Sequence, residues 1–484
     1  MSDLNTMLRA GLLVGAATVL GACSTLSAIN PFGGGDSNED IREAQGEVAG
    51  EEERISILAL DDSLEVGGTV AAGELVLPEA YVNQDWPQTG GNAVHAMGHT
   101  LAAGPLERAW SRGVGKSSGR KGRVVASPVV ADGRIYVMDA DNTVRALDES
   151  SGDELFRVEV EKARVGRTRS GPQSMEDRIR NPLGFLDKGG KDAESVGGGV
   201  AVGDAKLFVS SGLGLMGAYD AATGEPLWET PTRTPLHSAP TYADGRVFAV
   251  SDDNEIFGFN ANSGELLWTY QGIIETARML SSPAPAVFDE VVFAPFSSGE
   301  LVALRVQNGG VIWQDSLTSS ASLTPLSSVN DIASGPVVAD GFVVASAQSG
   351  NTTAFDVRTG QRVWSQPAGM LGFPLVVGDV IFGVTVNGEA VAINKLDGSV
   401  SWLTQLEAYG NPRKRKDRIS WTGPVMAGER LVLASSDGRM VVLDPQTGAI
   451  AEEKKAGGSV FVPPIVANQT VYLLTDDAKL VAFR

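Results

Sequence analysis

The chain has 484 residues, with 39 Lys+Arg against 59 Asp+Glu for a formal charge of −20, and 43% of it is hydrophobic. That much apolar material can bury a core, which excludes wholesale disorder, and the acidic balance makes nucleic acid a poor partner. One cysteine, Cys23, excludes an internal disulfide framework and any multi-cysteine metal site, and three histidines leave little material for histidine catalysis.

Residues Ala10 to Ala22 form an uncharged apolar run of 13, too short to span a bilayer comfortably and right for the core of an export signal. The run ends Leu20-Gly21-Ala22-Cys23-Ser24, which resembles a bacterial lipobox. That resemblance implies a signal peptide over 1–22 and a lipidated Cys23 as the mature N-terminus, anchored by acyl chains. Ser24 stands where lipoproteins retained in the inner membrane often carry Asp, which implies an outer-membrane destination with the body facing the periplasm.

Residues 23–66 follow as a lipidated N-terminus and acidic linker. Between Asp36 and Glu65 there are 11 Asp+Glu against Arg42 and Arg54, a net of 2 − 11 = −9, as expected of an extended spacer. Residues 67–104 form a turn-rich segment expected to pack on the body through Trp86. His95 and His99 are four apart, a metal-binding spacing on a helix, but Gly98 and the lack of nearby carboxylates favour a loop.

From residue 105 one pattern recurs. An apolar run ends in Asp or Asn, Gly follows four residues later, and Trp four after that, as in Asp220…Gly224…Trp228. Further copies are Asn260…Gly264…Trp268, Arg305…Gly309…Trp313, Asp356…Gly360…Trp364 and Asn394…Gly398…Trp402, with degenerate copies at Asp148…Gly152…Phe156 and Asp444…Gly448…Glu452. The acid accepts backbone N–H groups just ahead of it, and Gly supplies the positive φ that closes a hairpin. A second hairpin precedes most copies, for example at Asp132-Gly133, Asp244-Gly245 and Asp340-Gly341.

Each unit therefore has four strands, and most repeats step by 38 to 51 residues, which is the length of a propeller blade. The chain ends at Leu480–Arg484 without a fourth strand for its last unit, while Pro105–Trp110 is a strand without a unit. The expected fold is all-β: an eight-bladed β-propeller over 105–484, closed by the strand around Trp110 completing the C-terminal blade.

The Asp-x-x-Thr-Gly-x-x-x-Trp hairpin is similar to the tryptophan-docking motif of quinoprotein-type propellers. Together with the lipobox it resembles the BamB family, lipoproteins of the outer-membrane β-barrel assembly machine. The resemblance implies a non-catalytic scaffold that binds the POTRA domains of BamA and other assembly-machine subunits, and that touches unfolded outer-membrane proteins.

It also implies partner-binding residues on the links 268–283 and 313–336, matching Arg278, Leu280 and Asp331, with Ala333 departing from the family's second acid. Link lengths point the same way, because all the extra length falls on one face. Two readings of the basic run Arg413–Lys416 with Arg418 stay open: a solvated loop, or a surface for an acidic partner or anionic lipid. The alternative functions are a dehydrogenase dependent on pyrroloquinoline quinone, or a periplasmic propeller scaffold with another partner. No catalytic, cofactor or metal residues are expected, since the one Cys is in the lipobox and no Gly-rich phosphate loop, nucleophile elbow or metalloprotease helix is present.

Overall fold

The repeat builds its sheets from two kinds of tight turn. Val129–Ala131 and Arg134–Met138 pair across Asp132-Gly133, both at positive φ (51° and 71°), the backbone a two-residue hairpin needs. The second turn is built on the acid. Asp220 Oδ1 accepts from the backbone N–H groups of Ala222 and Thr223 at 2.9 Å each, and Gly224 closes the turn at φ +77°.

The computed structural model describes residues 64–67, 71–102, 104–120, 122–160, 196–275, 281–318, 330–348 and 350–484. Within them are eight four-stranded antiparallel sheets and one two-stranded hairpin. Blade 1 spans 129–159, blade 2 198–231, blade 3 241–271, blade 4 286–316, blade 5 337–366, blade 6 375–405 and blade 7 421–455; blade 8 spans 465–483. The first strands of consecutive blades touch around most of the circle, so they surround the axis. The apolar core forms layers between neighbouring blades: Leu301, Trp313, Val343 and Phe355, for example, share one cluster between blades 4 and 5.

The expected ring closure is present. Arg108–Gly113 is the fourth strand of blade 8, with Trp110 opposite Ala482 and Arg112 opposite Leu480. Glu107 and Arg484 exchange backbone hydrogen bonds of 2.8 and 2.9 Å just beyond it. The seam to blade 1 is tied by Glu149, which accepts from Asn468 Nδ2 at 2.8 Å and from the Tyr472 hydroxyl at 3.2 Å.

The tryptophan of the repeat in each of blades 2 to 6 docks on the next blade. Its Nε1 donates to a carbonyl in that blade's acid–glycine turn: Trp228 to Ala261 at 3.0 Å, Trp268 to Val306 at 2.8 Å, Trp313 to Val357 at 3.2 Å, Trp364 to Lys395 at 2.7 Å and Trp402 to Pro445 at 3.0 Å. The turn glycine lies flat against the ring, so a Cβ on Gly360 would stand 2.5 Å from Trp313, and one on Gly398 2.7 Å from Trp364. Opposite the ring sits Gly or Ala: Gly258 faces Trp268, and Ala303, Ala354 and Ala392 face the following three.

The degenerate copies follow from the ring. Phe156 packs on Gly224, and Trp110 on Gly152. Glu452 in blade 7 faces blade 8, where the separate strand Arg108–Gly113 takes the place of the acid–glycine hairpin, so a ring there has no turn to dock on. It pairs instead with Lys454 at 2.9 Å, and Lys454 Nζ donates to the Pro105 carbonyl at 2.5 Å, just ahead of the closing strand.

Two glycines of blade 5 separate backbone strain from docking. Both have positive φ, but a Cβ on Gly341 meets nothing, while one on Gly360 meets Trp313. Gly341→Ala is expected to cost about 1 kcal/mol and Gly360→Ala about 2–4 kcal/mol in urea unfolding. Equal losses would refute the close approach as the reason for the second glycine.

Candidate interaction face

Turns inside the blades are short, none longer than 444–449. Every longer connection is a link between blades, and these share one face with the turns between second and third strands. The link 406–420 carries the two-stranded hairpin, Tyr409–Asn411 paired with Lys416–Arg418 across a 3-10 turn at Pro412–Lys414. Residues 412–418 are all exposed. Arg415 lies 6.0 Å over the Tyr409 ring, and Arg418 donates to the Val386 carbonyl at 2.6 Å.

Of the residues expected to bind a partner, Arg278 and Leu280 lie outside the described residues, as does Cys23. Asp331 is described, and it is only 3% exposed, beside the fully buried Ile332. Its backbone carbonyl accepts from Gln348 N at 3.0 Å. A charge reversal there would strike the fold as well as any partner.

Link-length reasoning missed an apolar pair next to Arg278. Ile273 and Ile274 are 61% and 65% exposed, on a backbone pinned by Asn254 Nδ2 to the Ile273 carbonyl (2.6 Å) and by Ile273 N to Glu300 Oε2 (2.9 Å). The only sequence signal was two adjacent isoleucines just before the charged part of a loop.

The opposite end of the axis is occupied by the chain itself. Residues 83–100 follow the first strands of successive blades. Asn83 bonds the Val466 carbonyl and Asn468 N in blade 8. Trp86 exchanges backbone bonds with Val130 in blade 1 (2.7 and 2.9 Å). The Pro87 carbonyl takes Val202 N in blade 2, and Gln88 Oε1 takes Tyr242 N in blade 3. The Ala93 and Val94 carbonyls take Val287 N and Val338 N in blades 4 and 5. His99 Nε2 and the Gly428 carbonyl meet at 2.8 Å in blade 7.

Both histidines of this segment are in loop, and their rings face backbone carbonyls. His95 Nδ1 donates to the Pro336 carbonyl at 2.7 Å, and its ring packs edge-on against Phe373 in the link just ahead of blade 6. Burial pushes the His95 pKa down to about 4, against a smaller opposing effect from that hydrogen bond. Among the described residues, no group of three or more His, Cys, Asp or Glu could hold a metal ion.

Between this segment and the link face lies an axial cavity of about 270 Å³. Thr89 lines it together with the ends of the links to blades 1, 4, 5, 6, 7 and 8.

A family profile described as outer membrane protein assembly factor BamB matches residues 109–179, 187–404 and 408–484, which takes in all eight blades. The chain belongs to the BamB family. Curated BamB relatives include that of Moranella endobia (strain PCIT), 24% identical over 74% of this chain and 85% of its own length. Another is that of Escherichia coli (strain K12), 24% identical over 77% and 87%. The crystal structure of BamB from Moraxella catarrhalis superimposes with a TM-score of 0.62 at 18% identity, over 78% of this chain and 99% of that one. Quinohemoprotein alcohol dehydrogenase ADHIIG from Pseudomonas putida HK5 follows at 0.60 and 14% identity, over 83% and 80%. At those identities the likeness is one of fold. The BamB match begins at residue 109, so the axial segment 83–100 lies ahead of it.

His95 makes that segment pH-sensitive. Its folded pKa of about 4 lies below the ordinary 6.5, so between these values the unfolded chain binds a proton that the folded chain does not. Stability from this group is present above pH 6.5 and falls as pH drops towards 4, by up to roughly 3 kcal/mol. His95→Asn keeps the φ of +60° accessible and removes the titration. The stability gap between wild type and variant, from urea midpoints, should narrow from pH 7 to 4.5; a constant gap would disprove the linkage.

Proposed function

We propose that this chain is a non-catalytic scaffold of the outer-membrane protein assembly machinery. Its partners on this reading are the POTRA domains of BamA and other subunits of the machine, and its clients are unfolded outer-membrane β-barrel proteins. Residues 1–22 are the export signal, and Cys23 carries the lipid that holds the body at the periplasmic face of the outer membrane. Residues 23–66 are the spacer, and 67–104 belong with the propeller.

The observation that carries this reading is membership of the BamB family across the entire ring, joined to a face on which every long connection gathers. Partner binding falls on the link 272–285, through Arg278 and Leu280, with the exposed Ile273 and Ile274 as apolar contacts beside them. An apolar anchor flanked by a charge is the usual make-up of an energetic centre in an interface. Asp331, expected from the family likeness to share in the contact, is itself buried, so any part it takes comes from within the neighbouring link rather than from an exposed carboxylate.

The dehydrogenase alternative fits poorly. A carboxylate-bearing quinone and its divalent cation would need cationic and carboxylate side chains at the axis. Among the described residues, none lining the cavity is charged.

Arg278→Glu and, separately, Ile274→Asp should each lower recovery of the POTRA domains in pulldowns from solubilised outer membranes by about tenfold, with the melting temperature unchanged. Undiminished recovery with both would move the binding surface elsewhere. A main partner outside the assembly machinery would overturn the functional reading itself.

A further inference from the structure

The hairpin of the link 406–420 concentrates charge that the fold does not use. Residues 413–418 hold five cations and one acid, a net of 5 − 1 = +4 on a chain of net −20, and all six are exposed. Among the described residues, no ion pair engages Arg413, Lys414, Arg415 or Lys416. Glu407, at the foot of the hairpin, is taken by Arg439 at 3.0 Å, and the same guanidinium holds Asp437 at 2.9 Å. The backbone that displays these cations is ordered. Tyr409 pairs with Arg418 and Asn411 with Lys416, and the Asn411 side chain caps the turn by accepting from Lys414 N at 3.2 Å. Ile419 N closes the base on the Ala408 carbonyl at 2.9 Å. Little backbone freedom is left to lose on binding.

The two faces differ in the sign of their exposed charge. On the face crossed by residues 83–100, the first hairpin turn of every blade but the eighth carries an exposed acid, from Asp132 in blade 1 to Glu429 in blade 7. On the link face a second link, 114–128, carries exposed Lys116, Arg120 and Arg123 and no acid. It lies two links from the hairpin around the ring, and the link 272–285 lies three away on the other side. A protein interface is normally centred on apolar or aromatic anchors. The hairpin offers none: no large apolar side chain of 406–420 is exposed, and Arg415 lies over the Tyr409 ring. A bilayer needs no such anchor. It spreads phosphates across the whole face, so cations on separate links add, each worth roughly fivefold in partitioning at an anionic surface.

We propose that the hairpin Tyr409–Arg418, seconded by the link 114–128, is a docking surface for an anionic phospholipid bilayer and turns the link face towards it. The acids of the opposite face are repelled by the same surface, so both ends of the axis favour one orientation. A lipid on Cys23 keeps the chain at a membrane, and the hairpin selects the face that meets it. The link 272–285 stays available to the partner proposed above. The site does not depend on which machinery the propeller joins, because lipid alone is its ligand.

The test uses residues 24–484, which keep all eight blades and lack the lipid, sedimented with vesicles of phosphatidylcholine alone or with about 30% phosphatidylglycerol. Wild type should partition at least about tenfold more strongly onto the anionic vesicles, and the excess should vanish at about 0.5 M NaCl. Arg413→Gln with Lys414→Gln and Lys416→Gln should remove most of that preference, a drop of about tenfold or more, with the melting temperature unchanged. If this triple fails to fold, Lys414→Gln with Lys416→Gln should lower it about fivefold or more. A control with Lys206→Gln, Arg305→Gln and Arg358→Gln removes the same charge from the opposite face and should change partitioning by less than about twofold. Equal partitioning of wild type onto both vesicles, an undiminished preference in the hairpin variant, or equal losses in variant and control would overturn the proposal. So would a wild type that ignores the vesicles while the hairpin variant loses a protein in membrane pulldowns, a result that assigns the hairpin to an acidic protein. The vesicles hold no protein, so their failure leaves the assembly-machinery reading standing.

Discussion

The ring depends on one contact, an indole laid on a glycine. Blades 2 to 6 each lend an outer tryptophan to the next, where the ring covers a glycine turn and donates to a carbonyl of that turn. The contact needs three things together. Glycine must hold a positive φ, no Cβ may intrude on the ring, and Gly or Ala must sit opposite the tryptophan. Each buried ring withdraws on the order of 150–250 Å² from water, so the interface is both large and geometrically exact. Because the glycine belongs to the acid-capped turn, folding within a blade prepares the surface that the preceding blade docks on.

Closure breaks the repeat in an instructive place. Blade 8 takes its fourth strand from Arg108–Gly113 and not from a hairpin after its third, so its outer hairpin turn does not exist. Blade 7 then has nothing to dock on and carries Glu452 where its neighbours carry tryptophan. An irregularity in the sequence is thus a consequence of where the circle is joined. The joint covers edges that would otherwise expose unpaired backbone groups.

The two ends of the axis are unlike. One is crossed by residues 83–100, which hydrogen-bond to seven of the blades and touch the link into the remaining one through the His95–Phe373 contact. The other is framed by the links, which carry the length variation, the exposed isoleucine pair and the basic hairpin. With one end crossed by its own chain and the other carrying the longer links, the link end is the face proposed here for partners.

Much of this was legible in the residues. The spacing of Asp220, Gly224 and Trp228 and its copies determined the blades, their number and the closing strand at Trp110, because those features arise from local turn chemistry and a fixed period. The site was less so. Arg278 and Leu280 came from family likeness, and Asp331 proved to be buried, since a residue's depth depends on what the neighbouring blade lays over it. Ile273 and Ile274 read as ordinary apolar residues until their exposure was known. The path of residues 83–100 and the axial cavity were decided by tertiary structure alone. They join residues hundreds of positions apart, such as Asn83 and Asn468, and no period or local propensity records which strands a ring will bring to its centre.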